Sequence, residues 1–219
     1  MIEAKNLCKA YRAGGQTLAA ADRVNLKIVK GEMVAVVGHS GSGKTTLLSL
    51  LGGLTRPDSG QVLIDGVDIW SLSDSAISEL RNRKLGFIYQ FSSLIPTLSV
   101  LENVCLPSIF GGGGDDPTPR AKELLAQVGL ADKATFYPAQ LSGGQQRRVA
   151  IARAFIGAPA VILADEPTGD LDEETEREII NLFRQVNAEQ NTTFVIVTHN
   201  RELASQVHRQ LVMKDGVLA

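Results

Sequence analysis

The sequence is poor in several features that would announce a class. It has two cysteines, Cys8 and Cys105, far apart in the chain; such a pair points to neither a disulfide framework nor a zinc site. Its charge is nearly balanced, with 22 Lys and Arg against 24 Asp and Glu. That argues against a general electrostatic grip on nucleic acid, although a local basic patch is compatible with it. Met1-Ile2-Glu3-Ala4-Lys5 lacks the apolar core of a secretion signal, so the chain is expected in the cytoplasm. No internal repeat is visible. What is present is ordinary for a globular protein: 219 residues, 44% hydrophobic and 21% charged. Disorder is excluded as the dominant state, and a chain of this size can bury about 70% of its surface.

One stretch is unusual. Leu85 to Gly114 contains a single charged residue, Glu102. It does not read as a membrane span, because Pro96 and Pro107 interrupt it and Gln90, Ser92, Ser93, Thr97, Ser99 and Asn103 are scattered through it. A span needs about 20 predominantly apolar residues.

Three short runs, Met33–Val37, Val161–Ala164 and Phe194–Val197, are apolar without alternation and rich in β-branched types. This predicts strands buried on both faces, as in a parallel sheet. Each run ends in glycine or polar residues, where ligands gather in such sheets. Helical patterns follow at Thr45–Leu51 and Glu173–Val186, the latter with Asp172, Glu173, Glu174 and Glu176 crowding its first turn, in keeping with the helix dipole. The first 30 residues and Gln61–Ile69 read as antiparallel β-structure with turns. Residues 92–157 show helical patterns around 120–128 and 144–156, a Gly/Asp/Pro loop at 111–119, and no convincing strand. The expected division is an α/β core of 1–91 and 158–219, with 92–157 as a mostly helical insertion in a single domain.

Gly38-His39-Ser40-Gly41-Ser42-Gly43-Lys44-Thr45 fits G-x-x-x-x-G-K-[ST] between a strand and a helix, the context that a phosphate-binding loop requires. Glycines let successive N–H groups turn toward one anion, and the helix N-terminus adds partial positive charge. Lys44 is expected on the terminal phosphates and the Thr45 hydroxyl on Mg²⁺, with Thr46 continuing the donor row. The bland alternative is a glycine-rich turn with an exposed lysine.

Val161–Glu166 is an apolar strand ending in two carboxylates. Beside a phosphate loop, Asp165 suits the Mg²⁺ shell and Glu166 is placed to polarise an attacking water; otherwise they are two solvated acids at a strand end. His199 ends the third run, at the same end of the sheet as Lys44 and Asp165. Ser142 and Gln145 have capping-box spacing, and Gly143 and Gly144 leave N–H groups open to an anion. Arg147, Arg148 and Arg153 follow, so this segment is either a well-capped basic helix or a second anion-binding terminus completing a site on another copy.

Taken in order and spacing, residues 38–45, Leu141-Ser142-Gly143-Gly144-Gln145, Ala164-Asp165-Glu166-Pro167-Thr168, Leu171-Asp172 and His199 resemble the ATP-binding-cassette (ABC) ATPases over essentially the whole chain. The resemblance implies the ABC fold: an α/β P-loop NTPase core with a mostly parallel sheet, an N-terminal antiparallel β part and a helical subdomain. It further implies ATP and Mg²⁺ as ligands, and a head-to-tail dimer in which each ATP lies between one copy's loop and the other's Ser142–Gln145. By resemblance Glu166 is the general base, His199 contacts the γ-phosphate, Gln90 touches Mg²⁺ or the attacking water, and Tyr11 stacks on adenine. Gly169-Asp170-Leu171-Asp172 resembles a dimer-contacting loop.

Leu80–Phe91, Leu101–Val104 and Met213–Gly216 look like the lipoprotein-releasing (LolD-type) ATPases, grouped with MacB-type exporters and the FtsE-type cell-division ATPases. Departures from the group are His39, Ser92-Ser93, Asp170 and Gly111–Gly114. This likeness implies integral membrane permease subunits as partners, received near the loop that carries Gln90 (the family's Q-loop) and the helical region, with Phe91, Leu94, Ile95 and Leu98 as candidate contacts. The expected location is the cytoplasmic face of the inner or plasma membrane, with no nucleic acid partner. A soluble ABC ATPase of the DNA-repair type is the alternative; its coiled-coil arms do not fit here, because Ser142 follows Lys44 by only 98 positions. No N-K-x-D guanine motif is present, and a P-loop GTPase or small-molecule kinase leaves 141–145 unexplained.

Overall fold

The computed structural model describes residues 1–110, 116–169 and 171–218. The Gly111–Gly114 segment and Asp170, both singled out above, lie outside the described residues. In chain order the elements are β1 (Ile2–Ala13), β2 (Gln16–Ile28), β3 (Met33–Val37), α1 (Lys44–Leu51), β4 (Ser59–Ile64), β5 (Val67–Asp68), α2 (Asp74–Lys84), β6 (Leu85–Ile88), α3 (Val100–Phe110), α4 (Thr118–Gln127), α5 (Gly143–Phe155), β7 (Val161–Asp165), α6 (Glu173–Gln190), β8 (Thr193–Val197), α7 (Arg201–Ser205), β9 (Arg209–Lys214) and β10 (Val217–Leu218). The fold is mixed α/β, with an antiparallel N-terminal sheet and a sheet rich in parallel pairs, as expected. The described residues form two compact units, Met1–Arg81 with Thr193–Ala219, and Asn82–Thr192.

In the first unit, β1 lies between β2 and β4 in an antiparallel sheet of order β2-β1-β4-β5. The β1–β2 ribbon closes at Ala13↔Gln16 around Gly14 and Gly15, both at positive φ. That is the two-residue turn whose twist matches a hairpin. β3 is flanked by β8 and β9, both parallel to it, and β10 returns antiparallel to β9. Met33 to Val36 and Thr193 to Val197 are all buried, which is why those runs are apolar without alternation.

In the second unit, β6 and β7 pair in parallel, Leu85 with Val161 through Ile88 with Ala164. α3 packs on α4 and α5. The neutral stretch divides between β6, a loop and α3. Asn103, wholly buried, ties that loop down: its side-chain oxygen accepts from Ile95 N–H at 2.7 Å and its amide donates toward the carbonyls of Ile95, Leu98 and Ser99 at 2.9–3.1 Å. Asp172 caps α6 by accepting from Thr175 N–H, and Asn191 ends the helix in the left-handed region, a common way to close one. Among the described residues no helix is long and apolar enough to cross a membrane.

Candidate nucleotide site

Within the first unit, β3 feeds directly into the glycine-rich loop and α1 leaves it. The N–H groups of Lys44, Thr45 and Thr46 open the helix; the first helical bond runs from Leu47 N–H to Gly43 O at 2.8 Å. The first N–H groups of an α-helix have no intrahelical acceptor and carry its positive end. Gly41, at φ +77, has open space where a Cβ would stand, whereas a Cβ on Gly38 or Gly43 would collide with the backbone carbonyl of Met213 or of Ala20. Gly38 and Gly43 therefore let neighbouring backbone close on the loop, and Gly41 leaves its outer rim clear. His39, Ser40, Gly41 and Thr45 are exposed, and Gly38, Gly43, Lys44 and Thr46 half-buried. Ser42 is buried, and its hydroxyl has no partner among the described residues.

The Lys44 ammonium donates to the carbonyls of Gly38 and His39, each at 2.8 Å. It is thus folded over the loop it must serve, and position 39 enters through its carbonyl, which makes the histidine side chain a tolerable departure. His199 is exposed and leaves β8 just after Thr198, whose N–H donates to Val36 O at 3.2 Å. The structure therefore brings His199 to the same end of β3 and β8 as the loop, where parallel strands present ligand sites.

Tyr11 is 44% exposed and pairs with Leu18, two residues before the Ala20 carbonyl that abuts Gly43. Asp58 steadies this strand: one carboxylate oxygen accepts from Ala10 N–H at 2.7 Å and the other from Lys9 at 2.8 Å. The hydrogen bond from Lys9, reinforced by that from Ala10 N–H, holds the Asp58 carboxyl below the usual carboxylate range.

In the second unit, Gln90 and Asp165 leave the same end of the parallel β6–β7 pair. Gln90 is exposed, Asp165 is buried and Glu166 half-buried. Glu166 sits at φ 48, a left-handed conformation that costs a non-glycine residue of order 1 kcal/mol or more and persists where surroundings impose it. Ser142 and Gln145 form the anticipated capping box. The Ser142 hydroxyl accepts from Gln145 N–H at 3.2 Å, and the Gln145 side chain accepts from Ser142 N–H at 2.9 Å. Gly143, the first residue of α5, has open space around it. This terminus is therefore exposed, formed and positive.

Two features escaped the sequence reading. The arginines after Gln145 read in the sequence as a basic helix, yet Arg147 is buried, and Arg147 and Arg153 spend donors on loop carbonyls. The Asp215-Gly216 turn also backs the phosphate loop, with Gly216 N–H donating to Ser42 O at 3.0 Å. An Asp-Gly pair between two strand-like segments was the available signal for that turn.

With this geometry in place, comparison with known proteins is decisive at the family level. Residues 21–169 match the ABC transporter family. The chain resembles the dimeric post-hydrolysis structure of the ATP-binding cassette MJ0796 bound to ADP and Pi, at 42% identity and a TM-score of 0.96, covering all of this chain and 96% of that one. A second dimeric structure of MJ0796, an ABC transporter cassette, matches at 43% identity with the same TM-score and coverage. The chain belongs to the ABC transporter family, as an ABC-type ATPase.

Proposed function

We propose that this chain is the ATP-driven subunit of a membrane transporter, of the lipoprotein-release and MacB-like export group. It works as a head-to-tail homodimer that closes on two ATP molecules and reopens after hydrolysis. The observation that carries the dimer is the second anion-ready terminus, Ser142–Gln145. In this reading one chain has two phosphate-binding helix starts but a single set of carboxylates, and the dimeric state of MJ0796 supports a dimer.

The assigned roles follow the family motifs. Tyr11 stacks on adenine; the backbone from Gly38 to Thr46 and the Lys44 ammonium hold the phosphates. Thr45, Gln90 and Asp165 offer only oxygen donors, a set that suits Mg²⁺; when bound, the ion neutralises charge building on the phosphate oxygens. Glu166 takes the proton of the attacking water as its oxygen forms a bond to the γ-phosphorus, and ADP leaves. His199 contacts the γ-phosphate. The partner copy's Ser142–Gln145 closes the site from the other side. The exposure of Phe91 at 77% and Phe110 at 78% supports a membrane permease partner, and that reading carries with it a location at the cytoplasmic face of a membrane. Ile95 and Ile109 are exposed as well, while Leu94 and Leu98 are half-buried.

The Glu166→Gln variant tests this reading. It is expected to lose about 100-fold or more in turnover and to accumulate as an ATP-bound dimer in sedimentation. A variant that stays monomeric in saturating ATP and Mg²⁺ contradicts the sandwich.

A further inference from the structure

The proposed mechanism uses neither Arg147 nor Arg153. Both lie on α5, two and eight residues beyond Gln145, and both reach the same loop. Arg147 donates to Tyr89 O at 2.6 Å. Arg153 donates through its two terminal nitrogens to Ser92 O and Ser93 O, each at 2.8 Å. Gln146 joins them: its side-chain oxygen accepts from the Ser92 hydroxyl at 3.2 Å, and its amide donates to Pro138 O at 3.0 Å. The carbonyls gripped belong to residues 89, 92 and 93, which bracket Gln90. Ser93 stands at φ 47, in a left-handed conformation that an unrestrained serine rarely keeps.

A charged fork on two successive carbonyls is both stronger and more directional than a neutral bond. Burial opposes it, pulling the Arg153 guanidinium below its ordinary value. A helix that needed only a soluble basic face would leave these side chains in water.

We infer that Arg147 and Arg153 are positioning residues that lock the Gln90 loop to the signature helix, so that a shift of Gln90 at one ATP is carried to Ser142–Gln145. This inference rests on the head-to-tail reading above. In that dimer Gln90 serves its own copy's ATP and Ser142–Gln145 the partner's. The clamp therefore makes closure at one site felt at the other. α5 is a rigid lever between the two ends, and its arginines are the fastening.

The test uses the full chain with Arg147→Gln and Arg153→Gln, singly and together. In hydrogen exchange of the nucleotide-free protein, amides of residues 89–93 are expected to exchange about fivefold faster or more in the double variant. ATP affinity of the dilute single chain is expected to stay within about twofold, because its phosphate loop is not in this network. Turnover at saturating ATP is expected to fall between tenfold and about a hundredfold, the scale that misplacement of a reacting group produces. Unchanged exchange at 89–93 overturns the clamp. Faster exchange with unchanged turnover overturns its coupling role, and a loss of activity that saturating ATP restores assigns it to binding instead. Failure of the parent reading shows separately, as absence of an ATP-dependent dimer in the Glu166→Gln chain with both arginines intact.

Discussion

At the residue scale the chemistry depends on a few groups held in conformations they would not adopt alone. Lys44 is tethered to the carbonyls of Gly38 and His39, so its charge is already over the loop before nucleotide arrives. Lys44→Ala is expected to retain the fold and lose about 100-fold or more in ATP turnover, as a lost electrostatic stabiliser does; steady-state hydrolysis checks this. Asp172 gives a pH signature. Its carboxylate accepts from Thr175 N–H and hydroxyl, which holds the group below the ordinary carboxylate range. A depressed folded value means the cap stabilises the protein above the unfolded value of about 3.9, and that this stability is lost as pH falls through the lower folded value. Melting temperatures of wild type and Asp172→Asn are therefore expected to converge as pH drops below about 4; a constant gap would remove the carboxylate from the account. The glycine-rich turn at Gly38–Thr45 and the capping box at Ser142–Gln145 were legible in the sequence because each needs a fixed spacing. Arg147 and Arg153 were not, since an arginine that turns inward and one that faces water have the same letter and the same helical spacing.

At the element scale, legibility followed burial. β3, β7 and β8 are covered on both faces, so their unbroken apolar runs could be read directly. β9 exposes Gln210, Val212 and Lys214 on one face and only half-buries Arg209 and Leu211 beside buried Met213 on the other, so it carries no such run. β6 was hidden for another reason. It starts at Leu85 with no turn after α2 ends at Lys84, and it contains Gly86, where a Cβ would meet Ala154 O and Ile162. α3 breaks its apolar run only at Glu102, Asn103 and Ser108 and carries Pro107 inside it, so neither amphipathic periodicity nor the usual helix-breaker rule identifies it. Its buried Asn103 is the organising residue. Asn103→Ala is expected to destabilise the chain by about 1–3 kcal/mol, because it leaves backbone groups of the 95–99 turn without partners. Denaturant unfolding measures this, and a change within error would show that solvent satisfies that turn.

At the scale of the whole molecule, the head-to-tail reading makes the site of one chain half a site. The phosphate loop and the Ser142–Gln145 terminus both present open helix starts, and in that reading the carboxylates serve only one of them. Phe91 and Phe110 stand exposed, and the proposed permease contact rests on that apolar surface. The fold class followed from strand and helix patterns, but the second copy that the proposed mechanism requires follows from site stoichiometry, which appears only once each motif is assigned an anion. The most direct measurement mixes two inactive chains, Lys44→Ala with a dead phosphate loop and Gly143→Asp with a dead signature. In a head-to-tail dimer the mixed pair rebuilds one complete site from the loop of one chain and the signature of the other. Random pairing makes half of the dimers mixed, with one live site each, so ATP turnover is expected to rise well above either chain alone, to at most about a quarter of wild type. If the loop and the signature of one chain act together instead, the mixture remains as inactive as either chain alone.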